Sequence, residues 1–211
     1  MGLLQRRTQI GNNLPVYTIG GQQAALIIGL GNPGGRFQGT RHNIGFAVLD
    51  YLAEKNDFPA WINKKDLVCQ LTIQTIGHCR VLLCKPSTYM NDSGRAATAV
   101  QRFYRIANRQ TVAVYDELAM PFGTLRSRVG GQSAGHNGVK SLIAYLGADF
   151  GRLRVGIGGR QVVKTPPEAY VLKPFSKTEQ KALPALLKEA NSLLSEFIFS
   201  GDLPHDTRSI L

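Results

Sequence analysis

Residues 24–55, which read AALIIGLGNPGGRFQGTRHNIGFAVLDYLAEK, decide the fold of this chain. The segment starts with a continuous apolar run, which predicts a strand over residues 24–30 that is buried on both faces. A glycine-rich turn, GNPGGRF, follows the strand, and apolar residues then recur at helical spacing over residues 43–55. A buried strand that leads through a short turn into a helix is the repeating unit of α/β domains.

Similar strand and helix patterns continue along the chain. Gly77-His78, a two-residue loop with glycine first, separates two apolar stretches and predicts a β-hairpin with a type II′ turn. Ser176 and Glu179 form a capping box before the last helical pattern, in which Pro184 predicts either a kink or a later start. Helices are also predicted over residues 91–106 and 136–146, and strands over residues 111–117, 123–129 and 153–157. We therefore expect one three-layer α/β domain, whose mixed, twisted sheet has helices on both faces.

The composition is that of a globular protein. The chain has 211 residues, of which 43% are hydrophobic and 18% charged, and no repeat or linker divides it. We expect a single domain over residues 24–211, preceded by a flexible extension of residues 1–23. No apolar run approaches the ~20 residues of a membrane helix. The odd number of cysteines suits buried, reduced thiols in a reducing compartment; they are Cys69, Cys79 and Cys84.

Positive charge is concentrated in part of the chain. The net charge is +11, and between Glu117 and Glu168 only Asp149 is acidic. A dense basic stretch attracts a phosphate backbone, because each neutralised phosphate releases condensed counterions. A generally basic surface without a nucleic-acid partner is the alternative. The basic residues of this window are Arg126, Arg128, Lys140, Arg152, Arg154, Arg160 and Lys164.

The glycines of the first turn match the G-x-G-x-x-G pattern of dinucleotide-binding folds. The rest of that motif is missing, because Asp50, the acid at about the right distance, lies within a helical pattern. Pro33 also removes one of the amides that would face a pyrophosphate. The glycines are better interpreted as a tight turn that presents Asn32.

Five polar residues occur where predicted strands end or predicted helices begin. In an open α/β sheet, the loops that leave the carboxyl ends of the strands converge on one crevice, where ligands bind. Each residue alone also fits an ordinary helix cap or a solvated side chain. Their joint placement favours one shared site, formed by Asn32, His42, Asn91, Asp116 and Asn137.

His42 and Asp116 have the chemistry of a base and its orienting carboxylate. A neutral imidazole accepts a proton near neutral pH, and a carboxylate on its other nitrogen fixes the tautomer. No G-x-S-x-G elbow supplies a protein nucleophile, which makes water the attacking group. Asparagine amides at helix starts would stabilise a developing oxyanion. We expect no metal site, because His78 and the cysteines lie on a hairpin whose adjacent side chains point to opposite faces.

Four blocks of sequence, taken in order, resemble the bacterial-type peptidyl-tRNA hydrolase family. They are GLGNPGGRFQGTRHNIGF, KPSTYMNDSGRA, VYDELAMPFG and GGQSAGHNGVKSL. The resemblance implies a monomeric cytoplasmic α/β hydrolase without a cofactor or a membrane partner. Such an enzyme cleaves the ester between a peptide and the 3′ ribose of tRNA, and so recycles tRNA from peptidyl-tRNA that ribosomes have dropped.

The resemblance also assigns roles to individual residues. His42 would be the general base and Asp116 the residue that keeps it basic, while Asn32 would distinguish N-blocked peptidyl esters from free aminoacyl-tRNA. The channel for the peptide and the tRNA end would be lined by Phe37, Tyr89, Asn91 and Asn137. Arg128 and Arg154 would face the tRNA phosphates.

The chain departs from the family pattern at two positions of these blocks. Phe37 replaces a frequent tyrosine, and Ala119 stands where DELDLP would have its second aspartate. Residues 1–23 have no counterpart in the short bacterial forms, and their two arginines without an acid leave organellar targeting open. Another class also stays open, that of non-catalytic RNA-binding relatives such as plant organelle splicing factors, because such relatives can keep His42 and Asp116.

Overall fold

The computed structural model describes residues 23–158 and 165–210. Within these ranges eight strands form one sheet. They are β1 (Gln23–Gly29), β2 (Ile62–Lys64), β3 (Cys69–Ile76), β4 (Cys79–Pro86), β5 (Thr111–Pro121), β6 (Thr124–Val129), β7 (Gly151–Gly158) and β8 (Thr207–Ser209). Their order across the sheet is β2-β3-β4-β1-β5-β7-β6-β8. The four central strands, β4, β1, β5 and β7, pair in parallel, and the outer pairs are antiparallel, so the predicted mixed sheet is confirmed.

Helices cover the sheet on both faces. The α-helices of the described residues are α1 (Ile44–Lys55), α2 (Ser93–Tyr104), α3 (Asn137–Leu146), α4 (Pro167–Val171) and α5 (Lys177–Ser200). Alternate residues of the central strands point to opposite faces, and this divides the apolar interior in two. One core packs under α1 and α5, and the other under α2 and α3. The predicted three-layer architecture is therefore confirmed, and no helix of the described part has the length and apolar character needed to cross a bilayer.

Several local predictions can be compared with these elements. A type II′ turn requires a positive φ at its first central residue only. At the hairpin turn Gly77 has a φ of 58°, and His78 is not among the described residues with positive φ. The capping box of Ser176 and Glu179 is present, and α5 begins directly after it. The alternative prediction, that Pro184 delays the start of the helix, is therefore wrong, because α5 begins one residue after Ser176.

Other elements were not predicted at all. The strands β2 and β8 have three residues each and α4 has five, which is too short for a periodic pattern to be recognised. The predicted flexible extension, residues 1–23, lies outside the described residues except for Gln23, which begins β1.

Helix α1 lies unusually close to the central strands at Gly45. A side chain on this residue would meet the carbonyl oxygen of Val114, and it would lie 2.5 Å from the backbone nitrogen and oxygen of Leu30. These are backbone atoms inside β5 and directly after β1, so they cannot rotate away. The contact fixes the first turn of α1, and with it the residues just before the helix.

We expect Gly45→Ala to destabilise the fold by about 1–3 kcal/mol, the usual cost of inserting a methyl group into a tightly packed site. Urea unfolding followed by circular dichroism measures the difference. Gly35→Ala is the matched control, because nothing lies within 4 Å of the position that its side chain would occupy. Equal stabilities of the two variants would show that the close approach at Gly45 does not constrain the fold.

Candidate active site

A cleft of about 690 Å³ opens where β1, β4 and β5 end. Loops that leave these parallel strands at their carboxyl ends form its walls, as expected for an open α/β sheet. The segment around α4, which was not predicted, supplies another wall through Pro167, Glu168, Val171 and Leu172. The structure brings six of the predicted site residues together in the lining of this cleft: Asn32, His42, Tyr89, Asn91, Asp116 and Asn137.

His42 and Asp116 are joined by hydrogen bonds in this cleft. His42 lies in a short turn, Arg41–Asn43, directly before α1, and its Nδ1 is 2.9 and 3.0 Å from the two carboxylate oxygens of Asp116. Because an ionised carboxylate only accepts hydrogen bonds, Nδ1 carries a proton, and in the neutral imidazole Nε2 therefore keeps its lone pair. No described residue forms a hydrogen bond to Nε2, so this nitrogen is available to a molecule in the cleft.

His136 is a second imidazole on the same carboxylate. Its Nε2 is 3.0 Å from Oδ1 of Asp116, and its Nδ1 accepts hydrogen bonds from the backbone amides of Gly138 and Val139 at 3.1 and 3.3 Å. These amides belong to the first turn of α3, for which His136 is the N-cap. Since Nδ1 accepts, the proton must be on Nε2, and His136 is held as a neutral donor to Asp116. Sequence analysis missed this role, although the position of His136 beside Asn137 was an available signal.

The carboxylate of Asp116 is buried, with only 3% of the residue exposed. Burial by itself raises its pKa, but His136 and His42 outweigh that effect and hold the pKa well below its usual range. Asp116 is therefore ionised at neutral pH.

The ligand atoms of Asp116 and the two histidines also lie within 4.8 Å of one another, close enough for a metal ion. The helix amides oppose that use, because they leave His136 with a proton on Nε2 instead of a lone pair.

Asn32 is held in one orientation by its neighbours. Its backbone amide donates to Oδ1 of Asn43 at 2.8 Å, and its carbonyl accepts from Nδ2 of Asn43 at 2.9 Å. The side-chain oxygen of Asn32 accepts from the backbone amide of Met90 at 2.8 Å. The NH₂ group of Asn32, a hydrogen-bond donor, has no hydrogen-bond partner among the described residues, and Asn32 belongs to the lining of the cleft. Asn43 was not among the predicted site residues, because a reciprocal pair with a residue eleven positions away has no local sequence pattern.

Tyr89 and Phe37 occupy the mouth of the cleft. Tyr89 lines it and is 57% exposed. Phe37 does not belong to the lining; its ring packs edge-on against Tyr89, with 6.4 Å between the ring centres. Ala119, the other departure from the family pattern, is exposed at the end of β5.

The predicted phosphate-binding arginines lie on the sheet beside the cleft. Arg128 and Arg154 are half-buried on β6 and β7, where strand register places Arg126 opposite Arg154 on the same face. Arg154 is 3.8 Å from Glu117, which lines the cleft, so the basic face adjoins it. Arg126 was counted in the basic window, but its place on this face was not predicted. Arg160 and Lys164 of the same window lie outside the described residues.

Comparisons with known proteins agree on one family. The family model described as peptidyl-tRNA hydrolase matches residues 26–209. A peptidyl-tRNA hydrolase of Rhodopseudomonas palustris strain BisB18 is 41% identical over 163 residues, which are 77% of this chain and 80% of that protein. One of Shouchella clausii is 45% identical over 155 residues, 73% of this chain and 82% of that protein. The crystal structure of the peptidyl-tRNA hydrolase of Acinetobacter baumannii superimposes with a TM-score of 0.78 at 33% identity, covering 85% of this chain and 90% of that one.

Proposed function

The chain belongs to the peptidyl-tRNA hydrolase family, and we propose that it cleaves the ester between a peptide and the 3′ ribose of tRNA with water that His42 activates. The hydrogen-bonded pair of His42 and Asp116, with Nε2 of His42 free in the cleft, is the observation that carries this mechanism. Release of an N-acetylated amino acid from N-acetyl-aminoacyl-tRNA by the purified chain is the experiment that tests it.

The proposed reaction needs one base and several hydrogen-bond donors. Nε2 of His42 removes a proton from water while the water oxygen bonds to the ester carbonyl carbon. Negative charge develops on the carbonyl oxygen, where the side-chain amides of Asn91 and Asn137 can donate. The bond to the 3′ oxygen of the ribose then breaks, and His42 returns the proton to that oxygen. The products are the peptide acid and tRNA with a free 3′ hydroxyl.

Asn32 is proposed to select N-blocked substrates. Its side-chain oxygen is occupied by the amide of Met90, so only the NH₂ group is available to the substrate. An NH₂ group can donate to the first peptide carbonyl of a peptidyl ester. A free aminoacyl ester instead presents an ammonium group, which is itself only a donor and is repelled. This selection would protect aminoacyl-tRNA from hydrolysis.

An RNA-binding protein without catalysis is the second candidate function, because the basic face of β6 and β7 would serve either role. An inactive wild-type chain that still binds tRNA would favour it over the hydrolase.

We further propose that the enzyme acts on peptidyl-tRNA as a monomer in the cytoplasm. The three cysteines are free and buried, which suits a reducing compartment. Sedimentation of the purified chain measures its oligomeric state, and a stable dimer would contradict this part of the proposal.

The arginines on the sheet are proposed to bind tRNA phosphates. We expect Arg128→Ala to raise KM and to reduce the slope of log KM against log salt by about one, because one phosphate contact is lost. The maximal rate should hardly change, since Arg128 does not line the cleft. Lys188→Ala is the control, because Lys188 is exposed on α5 and so lies over the other face of the sheet. A loss confined to the maximal rate would rule out a phosphate contact for Arg128.

A further inference from the structure

Arg36 lies at the mouth of the cleft, in the turn between β1 and α1. Its guanidinium stacks on the ring of Phe37, with 4.6 Å between the central carbon and the ring centre. One of its terminal nitrogens donates to the hydroxyl of Tyr89 at 3.4 Å. Tyr89 lines the cleft, so Arg36 contacts a residue of its wall. Stacking and this hydrogen bond hold an exposed arginine in a defined position.

This arginine has no acidic partner among the residues that the structure describes. Arg41, five positions along the chain, forms an ion pair with Glu179, and Arg95 forms one with Asp92, but no carboxylate of residues 23–158 or 165–210 lies within 4 Å of Arg36. A guanidinium has five N–H groups, and only the weak bond to Tyr89 occupies one of them. Arg36 thus presents an uncompensated charge and an open fork of donors to solvent. A phosphodiester, whose two non-bridging oxygens share one negative charge, is the partner that fits such a fork.

We propose that Arg36 binds a phosphodiester of the single-stranded 3′ end of the tRNA. The inference rests on the proposed function, in which the scissile ester is on the terminal ribose. The nearest phosphodiester is then one ribose away from that ester, and Arg36 contacts Tyr89 in the wall of the cleft.

The position of Arg36 relative to the sheet supports a phosphate contact that is separate from those of the arginines on β6 and β7. Arg36 and Tyr89 follow β1 and β4, which lie on one side of β5, while β7 and β6 lie on the other side. The base His42 and its partner on β5 are between the two groups of charge. A tRNA end would therefore be held from both sides, its 3′ strand by Arg36 and its more distant phosphates by Arg128 and Arg154.

Three substitutions of Arg36 separate the charge from the bond to Tyr89. Arg36→Ala removes both, Arg36→Gln keeps a donor for the tyrosine hydroxyl without the charge, and Arg36→Lys keeps the charge. We expect the first two to lower kcat/KM on N-acetyl-aminoacyl-tRNA roughly tenfold, the effect of one charge-assisted hydrogen bond, and the third to restore most of it. Arg102→Ala is the charge-matched control, because Arg102 is exposed in the last turn of α2 and is absent from the cleft.

Binding measurements identify the substrate group that Arg36 contacts. Fluorescence anisotropy of a labelled CCA trinucleotide, which has phosphodiesters, should show weaker binding to Arg36→Ala, whereas competition by adenosine, which has none, should be unchanged. Wild-type behaviour of Arg36→Gln, or an equal loss for the trinucleotide and adenosine, would overturn the proposal and assign Arg36 to the positioning of Tyr89. If the wild-type chain did not hydrolyse the ester, the proposed function would fail, while the trinucleotide measurement would still decide the role of Arg36.

Discussion

His42→Ala should lower kcat for hydrolysis of N-acetyl-aminoacyl-tRNA by at least ~10²-fold, the smallest loss typical of removing a general base. Without the imidazole, no other described side chain in the cleft combines a free basic nitrogen with an orienting carboxylate, because the nitrogens of His136 are engaged by α3 and by Asp116. Substrate binding depends on other residues, so KM should change much less than kcat.

A time course of released N-acetyl amino acid at saturating substrate measures this effect. His78→Ala is the matched control, because His78 is exposed in the β3–β4 turn and distant from the cleft. If His42→Ala retained more than a tenth of wild-type kcat, His42 would not be the base.

Asp116→Asn should lower kcat on the order of 10³-fold, within the range of losing an orienting carboxylate. His136 donates to Oδ1 and His42 contacts both oxygens, so an amide that keeps its oxygen at the Oδ1 position places an NH₂ donor against the N–H of Nδ1 of His42. His136 cannot change its tautomer, because two helix amides occupy its Nδ1. His42 is the one that must adapt, and it does so by moving its proton to Nε2, where no lone pair then remains for water.

This explanation predicts a specific non-additivity. If His136→Ala is added, the hydrogen bond that holds the amide oxygen at the Oδ1 position is lost, and the side chain can turn its oxygen toward the N–H of His42. The double variant should therefore be more active than Asp116→Asn alone. Asp149→Asn is the control, because it makes the same substitution at an exposed aspartate just before β7. Strict multiplication of the two single effects would contradict the argument that His136 fixes the orientation of the amide.

The architecture of the fold was accessible from the sequence for a clear reason. The apolar run of residues 24–30 and the helical spacing after it are long enough to be read locally, and they define β1 and α1. The same pattern located the residues at strand ends, so His42, Asp116 and Asn32 could be placed in one crevice by topology alone.

The hydrogen-bond network of the site could not be predicted in the same way. Whether His136 points at Asp116 depends on its side-chain rotamer and on the position of α3, and neither has a sequence signature. The reciprocal pair of Asn32 and Asn43 likewise depends on the path of the turn between β1 and α1. The sequence did not single out Arg36. Its proposed role depends on the absence of a neighbouring carboxylate among the described residues, and only the fold shows which residues are its neighbours.

The N-cap of α3 has a consequence for attempts to engineer this chain. Serine, aspartate and asparagine are far more common N-caps than histidine, so a search for stabilising substitutions would select position 136 early. Those shorter side chains would serve the helix amides but would withdraw the donor that His136 extends to Asp116. We expect substitutions chosen here for thermostability to lose a hydrogen bond that helps to keep Asp116 ionised, so such a library should be screened for turnover as well as for heat resistance.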